Sequence, residues 1–275
     1  MQILVFPDKI FLWKIKLHFK EREKKMRIKV EFESQKPIEL PIHYNYFVQS
    51  MIYNTIEDKI YATFLHDKGY EVDLKNFKLF SFSRLEGPFK IVGENLNKKI
   101  VFDKKVSLTI SSPVEDFITK FSTGLLKKDQ IYLKDNILYV SSANMLRKPK
   151  FSSFHKIKML SPMCAYKTIR NENSEYKHFF TPFEYEFYNL ISQNLMKKCK
   201  LLIKDFDEKS FRFDLKPLKV EEKTHFKPML FKKTPIKGWL GFYTIETDPI
   251  IMEVAYYCGL GSKNSQGFGL FEIIE

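Results

Sequence analysis

The sequence has little cysteine, and its few cysteines are spaced too widely for a disulfide scaffold. The 275 residues include only Cys164, Cys199 and Cys258, an odd number with no C-x-x-C pair. A small secreted domain held by disulfides carries an even, closely spaced set, so this class is excluded. We expect each cysteine to be a small core residue and the protein to be cytoplasmic, in a reducing compartment.

Long hydrophobic runs are also missing. No apolar stretch approaches the roughly 18 residues required to span a bilayer, which excludes a membrane-spanning helix. The first 25 residues, MQILVFPDKIFLWKIKLHFKEREKK, are apolar and basic but lack the small-residue cleavage site of a signal peptide. Two interpretations are open: a basic amphipathic segment on a membrane surface, or an upstream stretch before a translation start at Met26. We favour the second and expect no membrane partner.

Acidic residues are in deficit, because 46 Lys and Arg residues face 33 Asp and Glu residues, which gives a net charge of +13. Aromatic residues are abundant in contrast, with 27 Phe and 14 Tyr. Basic groups neutralise phosphates and aromatic faces stack on bases, so this composition favours a nucleic-acid partner. An AT-rich genome, whose codons enrich Lys, Phe and Tyr, would give the same composition without any function.

Strand and helix patterns follow the same order in both halves of the chain. In the first half, RIKVEF predicts a strand and residues 43–66 a helical region. Strands in FKLFSFS, FKIVG and KIVFDKKVSLTI follow, then a helix from SPVEDFITKFSTGLL and a strand in ILYVSS. We predict that Ser112 caps this helix, with Pro113 at its first position and Glu115 completing a capping box.

In the second half, HKIKMLSP, FRFDL, KPMLFKK and GWLGFYTIE predict strands, and a capping box at TPFE, residues 181–184, starts a helix. A last helix, IIMEVAYYC, ends at Gly259, and FGLFEII is the final strand. Each half therefore has approximately the order β-α-β-β-α-β of a ferredoxin-like unit. We predict an α+β fold of two tandem ferredoxin-like, RRM-like domains, residues 26–148 and 149–275, preceded by an N-terminal extension, residues 1–25.

Glycine is scarce, with 10 residues, yet four of them lie in GLGSKNSQGFG, residues 259–269. Phosphate-binding loops of nucleotide enzymes run strand–loop–helix, and the P-loop lysine precedes Ser or Thr. Here the loop runs from a helix to a strand and Asn264 follows Lys263, so both a P-loop and a Rossmann turn are excluded. Glycines permit positive φ and close backbone approach. We therefore predict a loop that offers amide N–H groups and Lys263 to phosphates, with a simple tight turn as the alternative.

This glycine-rich segment resembles the C-terminal motif of the CRISPR-associated endoribonucleases that cut precursor CRISPR RNA at its repeats, the sixth Cas family of the RAMP superfamily. LPIHYNYFVQSMIYNTI, residues 40–56, is similar to the family's first-helix signature, and TPFEYEFYNLI is similar to the start of its second-domain helix. The resemblance in layout covers residues 26–275. It implies metal-independent cleavage, in which the 2′-hydroxyl attacks the adjacent phosphate and leaves a 2′,3′-cyclic phosphate and a 5′-hydroxyl.

The resemblance also implies roles for individual residues. Tyr53 in MIYNTI matches the family's catalytic tyrosine, and His66 in FLHDKG matches its histidine. Lys78 in KLFSFS matches its lysine, although an insertion, GYEVDLKN, separates it from His66. The RNA-binding residues carried over with the glycine-rich segment are Gly259, Gly261, Ser262, Lys263, Asn264, Ser265, Gly267 and Gly269.

Helical geometry places Tyr53 and His66 away from the core. Tyr53 lies roughly opposite an apolar stripe formed by Phe47, Val48, Met51, Ile52 and Ile56. His66 lies roughly opposite a second stripe formed by Ile60, Tyr61, Phe64 and Leu65. His43, just before the first helix, is the main rival for the catalytic base.

The expected partner is precursor CRISPR RNA, and no metal or other cofactor is expected. The sequence has no H-E-x-x-H motif or carboxylate cluster, which agrees with a metal-free reaction. A non-catalytic RAMP subunit of a CRISPR ribonucleoprotein is the alternative function, because a basic surface and a glycine-rich loop suit both; Tyr53, His66 and Lys78 together favour the enzyme. Contacts with other subunits of an interference complex and formation of a homodimer are left open.

Overall fold

The computed structural model describes residues 26–94, 97–171 and 174–274, so the predicted N-terminal extension, residues 1–25, lies outside the described residues. The helices and strands of the first half are β1 (Arg27–Glu33), β2 (Ile38–Pro41), α1 (Asn45–Thr55), α2 (Lys59–Asp67), β3 (Tyr70–Val72), β4 (Lys75–Phe77), β5 (Ser81–Phe82), β6 (Phe89–Val92), β7 (Lys99–Phe102), β8 (Lys105–Ser111), α3 (Glu115–Lys127), β9 (Ile131–Leu133) and β10 (Asn136–Met145).

The second half also combines strands and helices. Its helices and strands are β11 (Phe154–Met159), β12 (Tyr166–Asn171), β13 (Ser174–Phe179), α4 (Tyr185–Leu202), β14 (Phe213–Lys219), α5 (Glu222–His225), β15 (Phe226–Phe231), β16 (Thr234–Trp239), β17 (Phe242–Thr247), α6 (Pro249–Cys258) and β18 (Phe271–Ile273). A single 3₁₀ turn, Asn264–Gln266, lies within the glycine-rich segment between α6 and β18.

Each half is built around one antiparallel sheet with the strand order of a ferredoxin-like unit. The first sheet has the order β5-β8-β1-β10-β9, and the second has the order β14-β17-β11-β18. In both, the first strand lies in the centre: β1 between β8 and β10, and β11 between β17 and β18. This confirms the predicted α+β fold with two tandem ferredoxin-like domains. The exact boundaries of those domains stay a prediction.

The two halves are joined through a buried arginine. The guanidinium of Arg27, in β1, donates to the carbonyl oxygen of Phe271 at 2.8 Å and to that of Tyr256. It also lies 3.5 Å from the centre of the Tyr256 ring. One cluster of buried apolar side chains includes residues of both sheets. The halves therefore share a core, which fixes the surfaces they present to each other.

The predicted helical region, residues 43–66, is two helices rather than one. Helix α1 ends at Thr55, and the Asp58 carboxylate starts α2 by accepting the backbone N–H of Tyr61 at 2.9 Å. Ile60 was predicted on the apolar stripe of this stretch, yet it is 85% exposed. The reason is that α2 is short and buries only Leu65 completely.

The predicted strand FKLFSFS is wrong in its extent. The insertion GYEVDLKN forms the hairpin β3–β4, in which Phe77 pairs with Tyr70. Leu79 then takes a positive φ of 51°, which interrupts the extended chain before β5. Lys78 consequently lies in the connection between β4 and β5 and does not open a strand.

The helix-start and helix-end signals are confirmed in part. The Ser112 hydroxyl accepts the N–H of Val114 at 3.0 Å, but α3 begins only at Glu115, so the predicted cap is two residues too early. Glu184 accepts the N–H of Thr181 at 2.6 Å, which is one bond of a capping box, but α4 begins only at Tyr185, so this predicted helix start is also too early. Gly259 ends α6 with a φ of 78°, as predicted. Among the described helices, none is both long and apolar enough to cross a membrane.

Candidate active site

A lysine-rich cleft of about 340 Å³ lies where the two halves meet. One wall comes from α1, α2 and the connection that follows β4, and the other from β13, the β15–β16 hairpin and the glycine-rich segment. Its lining residues are Gln49, Tyr53, His66, Lys78, Lys177, Phe231, Lys232, Thr234, Ile236, Lys263, Ser265 and Gln266. Four of them are lysines and none carries a carboxylate, so the lining suits an anionic ligand.

The structure brings the three predicted catalytic residues together in this cleft. The ring centres of Tyr53 and His66 are 5.7 Å apart, with the rings edge to face. The Lys78 ammonium donates to the backbone carbonyl oxygen of His66 at 2.9 Å. The fold therefore brings Lys78 next to His66 and Tyr53, although the hairpin β3–β4 separates it from them in the sequence. Their catalytic roles stay predictions.

His66 is held by a neighbouring carboxylate. Its Nδ1 lies 2.8 Å from Oδ1 of Asp67. An ionised carboxylate only accepts hydrogen bonds, so Nδ1 carries a proton and Nε2 is the nitrogen left to exchange one with a substrate. Both side chains are more than half exposed, which leaves the imidazole accessible from the cleft, as expected from the sequence.

Tyr53 is more enclosed than helical geometry predicted. The prediction that it avoids the core is wrong, because buried Phe80, just before β5, returns over this face of α1 and lies 5.7 Å away, ring centre to ring centre. Burial raises the pKa of Tyr53 well above its ordinary value. The hydroxyl therefore keeps its proton near neutral pH and acts as a hydrogen-bond donor. Burial also lowers the pKa of Lys78, and the negative charge of Asp67 offsets part of this shift.

The four glycines of the glycine-rich segment have positive φ values of 68° to 83°. Each is also packed against protein: a Cβ on Gly261 would lie 2.5 Å from the carbonyl oxygen of Cys164, and one on Gly267 would lie 2.5 Å from the Phe82 ring. A Cβ on Gly259 or Gly269 would meet other parts of the segment. These contacts account for the glycines, so their predicted approach to RNA stays a prediction.

Side chains from both halves hold the glycine-rich segment in place. From α1, Asn45 donates to the carbonyl oxygens of Gln266 and Gly267, at 2.9 and 3.2 Å, and Gln49 donates to that of Ser265 at 2.6 Å. From α4, the buried ammonium of Lys198 donates to the carbonyl oxygens of Gly259 and Gly261 and to Oδ1 of Asn264. The segment is therefore a fixed wall of the cleft.

The predicted RNA-binding residues divide into two groups. Lys263 and Ser265 line the cleft, whereas Ser262 and Asn264 do not. Asn264 instead braces the segment by donating to the carbonyl oxygens of Leu260 and Phe268, each at 3.0 Å. The Lys263 ammonium lies 5.2 Å from the centre of the Tyr166 ring, and burial lowers its pKa. Lys263 is thus the charged group that the segment presents to a ligand.

Sequence reasoning missed Lys177 and Lys232. Lys177 lies on β13, in a hairpin with β12 that was not predicted, and Lys232 lies in the turn between β15 and β16. Lys232 and Lys233 both have positive φ, 47° and 67°, as in the type I′ turn of a two-residue hairpin. Such turns favour Asn-Gly, and because Lys-Lys stands here instead, the sequence does not indicate a hairpin turn. His43, the rival base, is not among the residues that line the cleft.

Gly267→Ala tests whether close packing of the glycine-rich segment against the first half requires glycine at this position. The added Cβ would meet the Phe82 ring at 2.5 Å and the Asn45 amide at 2.6 Å, at a φ of 83°. We expect the free energy of unfolding to fall by about 2 kcal/mol, from backbone strain and overpacking together. Chemical denaturation would measure it, with Ser265→Ala as a control expected to change stability little. An unchanged midpoint for Gly267→Ala would show that this contact is loose.

Comparison with known proteins identifies the family. The family model for the N-terminal part of CRISPR-associated protein Cas6 matches residues 39–144, and the model for its C-terminal part matches residues 146–273. CRISPR-associated endoribonuclease Cas6 1 of Methanocaldococcus jannaschii is 28% identical over 91% of this chain and 93% of its own length. CRISPR-associated endoribonuclease Cas6 of Pyrococcus furiosus is 25% identical over 88% and 86%.

Solved structures agree with these matches. A structure described as CRISPR associated protein Cas6 has a TM-score of 0.71 and 29% identity, over 91% of this chain and 99% of its own. A second, of a Cas6-related protein from Pyrococcus furiosus, has a TM-score of 0.77 and 21% identity, over 91% and 98%, and supports the fold. Because two adjacent family models together span the chain from residue 39 to residue 273, the chain belongs to the Cas6 family of CRISPR-associated proteins.

Proposed function

We propose that the protein is an endoribonuclease that cuts precursor CRISPR RNA within its repeats without a metal ion. The observation that carries this proposal is the meeting of Tyr53, His66 and Lys78 in a cleft lined by four lysines. Two curated relatives bear the name CRISPR-associated endoribonuclease, which supports the same activity. Among the described residues, no group of three or more His, Cys, Asp or Glu side chains is arranged to hold a metal ion.

The reaction begins when a proton leaves the 2′-hydroxyl of the scissile nucleotide. Nε2 of His66 takes this proton, because the Asp67 carboxylate occupies Nδ1. The 2′-oxygen then attacks the adjacent phosphorus and the bond from phosphorus to the 5′-oxygen breaks. We assign the proton that the leaving 5′-oxygen requires to the Lys78 ammonium, since burial lowers its pKa and eases proton release. The products are a 2′,3′-cyclic phosphate and a 5′-hydroxyl.

The remaining groups stabilise the charge that develops on the phosphorane. Lys263 and the lysines of β13 and the β15–β16 turn surround the cleft with positive charge. Tyr53, whose hydroxyl stays protonated, donates a hydrogen bond to a phosphate oxygen. Because side chains from both halves fix the glycine-rich segment, Lys263 is in place before the substrate arrives.

Cleavage in EDTA tests the mechanism. We expect the protein to cut a labelled repeat RNA equally well in EDTA and in Mg²⁺. A single 2′-deoxy substitution at the scissile nucleotide should abolish cleavage, because the nucleophile belongs to the RNA. Mass spectrometry of the products should find the cyclic phosphate. A requirement for Mg²⁺, or a product with a 5′-phosphate, would contradict the mechanism.

The alternative function, a non-catalytic RNA-binding subunit of a CRISPR ribonucleoprotein, has a distinct outcome in the same assay. Its basic cleft would bind repeat RNA tightly, and no cleavage would appear with or without Mg²⁺.

A further inference from the structure

Two of the four lysines that line the candidate active site lie against the same aromatic ring. The Lys263 ammonium is 5.2 Å from the centre of the Tyr166 ring, and the Lys177 ammonium is 5.6 Å from the same point. Lys263 belongs to the glycine-rich segment and Lys177 to β13, so the ring meets cations from two separate parts of the second half. Tyr166 itself is not among the residues that line the cleft. The proposed chemistry gives this ring no role.

The Tyr166 ring offsets a repulsion between the two lysines. Burial lowers the pKa of Lys263, and the positive charge of Lys177 adds to this effect. Two ammonium groups close enough to do so repel each other, and each would gain by turning away toward water. An aromatic ring attracts a cation that lies within about 6 Å of its centre. The ring therefore stabilises both ammonium groups in positions that their mutual repulsion disfavours.

The two ammonium groups have few other contacts that could hold them. Lys177 is exposed, and it forms no ion pair or hydrogen bond with any residue that the structure describes. The Lys263 ammonium has one further contact, with the side-chain amide oxygen of Gln266 at 3.5 Å. The Tyr166 ring is thus the contact that both ammonium groups have in common.

The fold holds the Tyr166 ring in place. Its centre lies 5.3 Å from the ring centre of Phe179, which pairs with Tyr166 across the β12–β13 hairpin. Lys177 lies two residues before Phe179 on β13 and therefore on the same face of the hairpin. Just before β12, the carbonyl oxygen of Cys164 accepts the N–H of Ser262 at 2.9 Å, which ties this strand to the glycine-rich segment. The ring is therefore fixed between the two elements that supply the lysines.

We propose that Tyr166 is a positioning residue, which holds Lys177 and Lys263 close together so that the pair binds the scissile phosphate. This proposal rests on the proposed function. Two neighbouring ammonium groups suit the phosphorane better than the ground-state phosphate, because negative charge on the phosphoryl oxygens increases as the 2′-oxygen attacks. The pair should therefore contribute more to the rate of cleavage than to the affinity for RNA.

Two substitutions of Tyr166 separate the ring from its hydroxyl. Tyr166→Leu removes the aromatic face, and it should slow single-turnover cleavage of repeat RNA by about 5–30-fold, the range that two cation–π contacts can contribute. Its affinity for a repeat RNA with a 2′-deoxy scissile nucleotide should fall by a smaller factor. Tyr166→Phe keeps the face, so both quantities should stay within about twofold of wild type. If the leucine variant did not fold, Tyr166→Met would replace it, because the flexible methionine side chain fills irregular gaps.

A double-mutant cycle shows whether Tyr166 acts through the lysines. In a protein that already carries Lys177→Ala with Lys263→Ala, the further change Tyr166→Leu should alter neither rate nor affinity, because both cations that lie against the ring are gone. The matched control is Tyr176→Leu, which removes an exposed ring from the same hairpin. It should cleave like wild type.

Four results would overturn the proposal. Tyr166→Leu could cleave like wild type, or the control Tyr176→Leu could be equally slow, which would assign the effect to the hairpin as a whole. Tyr166→Phe could be as slow as Tyr166→Leu, which would assign the effect to the hydroxyl. The effects could add in the cycle, which would show that the ring acts without the lysines. Failure of the proposed function is distinguishable: wild type would then bind repeat RNA without cutting it, and the cycle would be read in affinity alone.

Discussion

His66→Ala is expected to slow single-turnover cleavage of repeat RNA by on the order of 10²–10⁴-fold, the range that general acid–base groups contribute. The variant loses the imidazole of His66, which among the described residues is the only one that lines the cleft. Lys78 cannot replace it, because an ammonium has no lone pair to accept the 2′-hydroxyl proton. Affinity for RNA should change little, since a single exposed side chain at 62% exposure adds little to phosphate binding. Rapid-quench kinetics at saturating protein would measure the rate.

His43→Ala is the control for this prediction. Burial lowers the pKa of His43, and the residue lies outside the cleft, so its removal should leave the rate near wild type. If His43→Ala were slow and His66→Ala fast, the assignment of the base would be reversed. If both variants cleaved at the wild-type rate, neither His43 nor His66 would be the base.

The sequence was sufficient for the fold because the repeated order of strands and helices depends on local patterns. Resemblance and helical geometry also indicated an accessible His66, and the structure places it exposed in the cleft; its catalytic role stays a prediction. The burial of Tyr53 was predicted wrongly, because helical periodicity considers the side chains of one helix alone. Phe80, which covers this face of α1, comes from a distant part of the sequence. Lys177 and Lys232 reach the cleft through hairpin pairing, which depends on partners that periodicity does not reveal.

The glycine-rich segment shows the same limit in another way. Clustered glycines correctly indicated positive φ, which is a property of the segment alone. The reason for those angles lies in Phe82, Asn45 and Cys164, which come from elsewhere in the chain. Lys198 gave no signal at all, because a lysine in an amphipathic helix is usually solvated and only the folded structure shows it buried.

Lys198→Met is the variant that should lower stability most. Lys198 is fully enclosed, and its ammonium has three N–H donors for three acceptors: the carbonyl oxygens of Gly259 and Gly261, at 2.8 and 3.2 Å, and Oδ1 of Asn264 at 2.7 Å. Burial lowers the pKa of Lys198 to about 8, so the charged form persists at pH 7. Methionine keeps most of the volume but leaves all three acceptors without this donor.

Two opposing effects decide the size of the change. Removing a buried charge relieves its desolvation, which is why replacing a whole buried ion pair by apolar residues can be neutral. Here only the donor is replaced, and each acceptor left unsatisfied costs about 1–3 kcal/mol. The orphaned acceptors outweigh the relief, and we expect the free energy of unfolding to fall by about 3 kcal/mol. Lys197→Met, one residue away and only half-buried, should change it by less than about 0.5 kcal/mol.

The same variant should separate RNA binding from chemistry. The glycine-rich segment carries Lys263 and Ser265 into the cleft, whereas Tyr53, His66 and Lys78 belong to the first half. Below its melting temperature, Lys198→Met should therefore bind repeat RNA more weakly. Its cleavage of bound RNA should slow far less than that of His66→Ala, because only the charge of Lys263 is displaced and Tyr53, His66 and Lys78 stay in place. Circular dichroism would confirm that the variant is folded under the assay conditions. If Lys198→Met melted and bound RNA like wild type, the three hydrogen bonds would not be what holds the segment against the cleft.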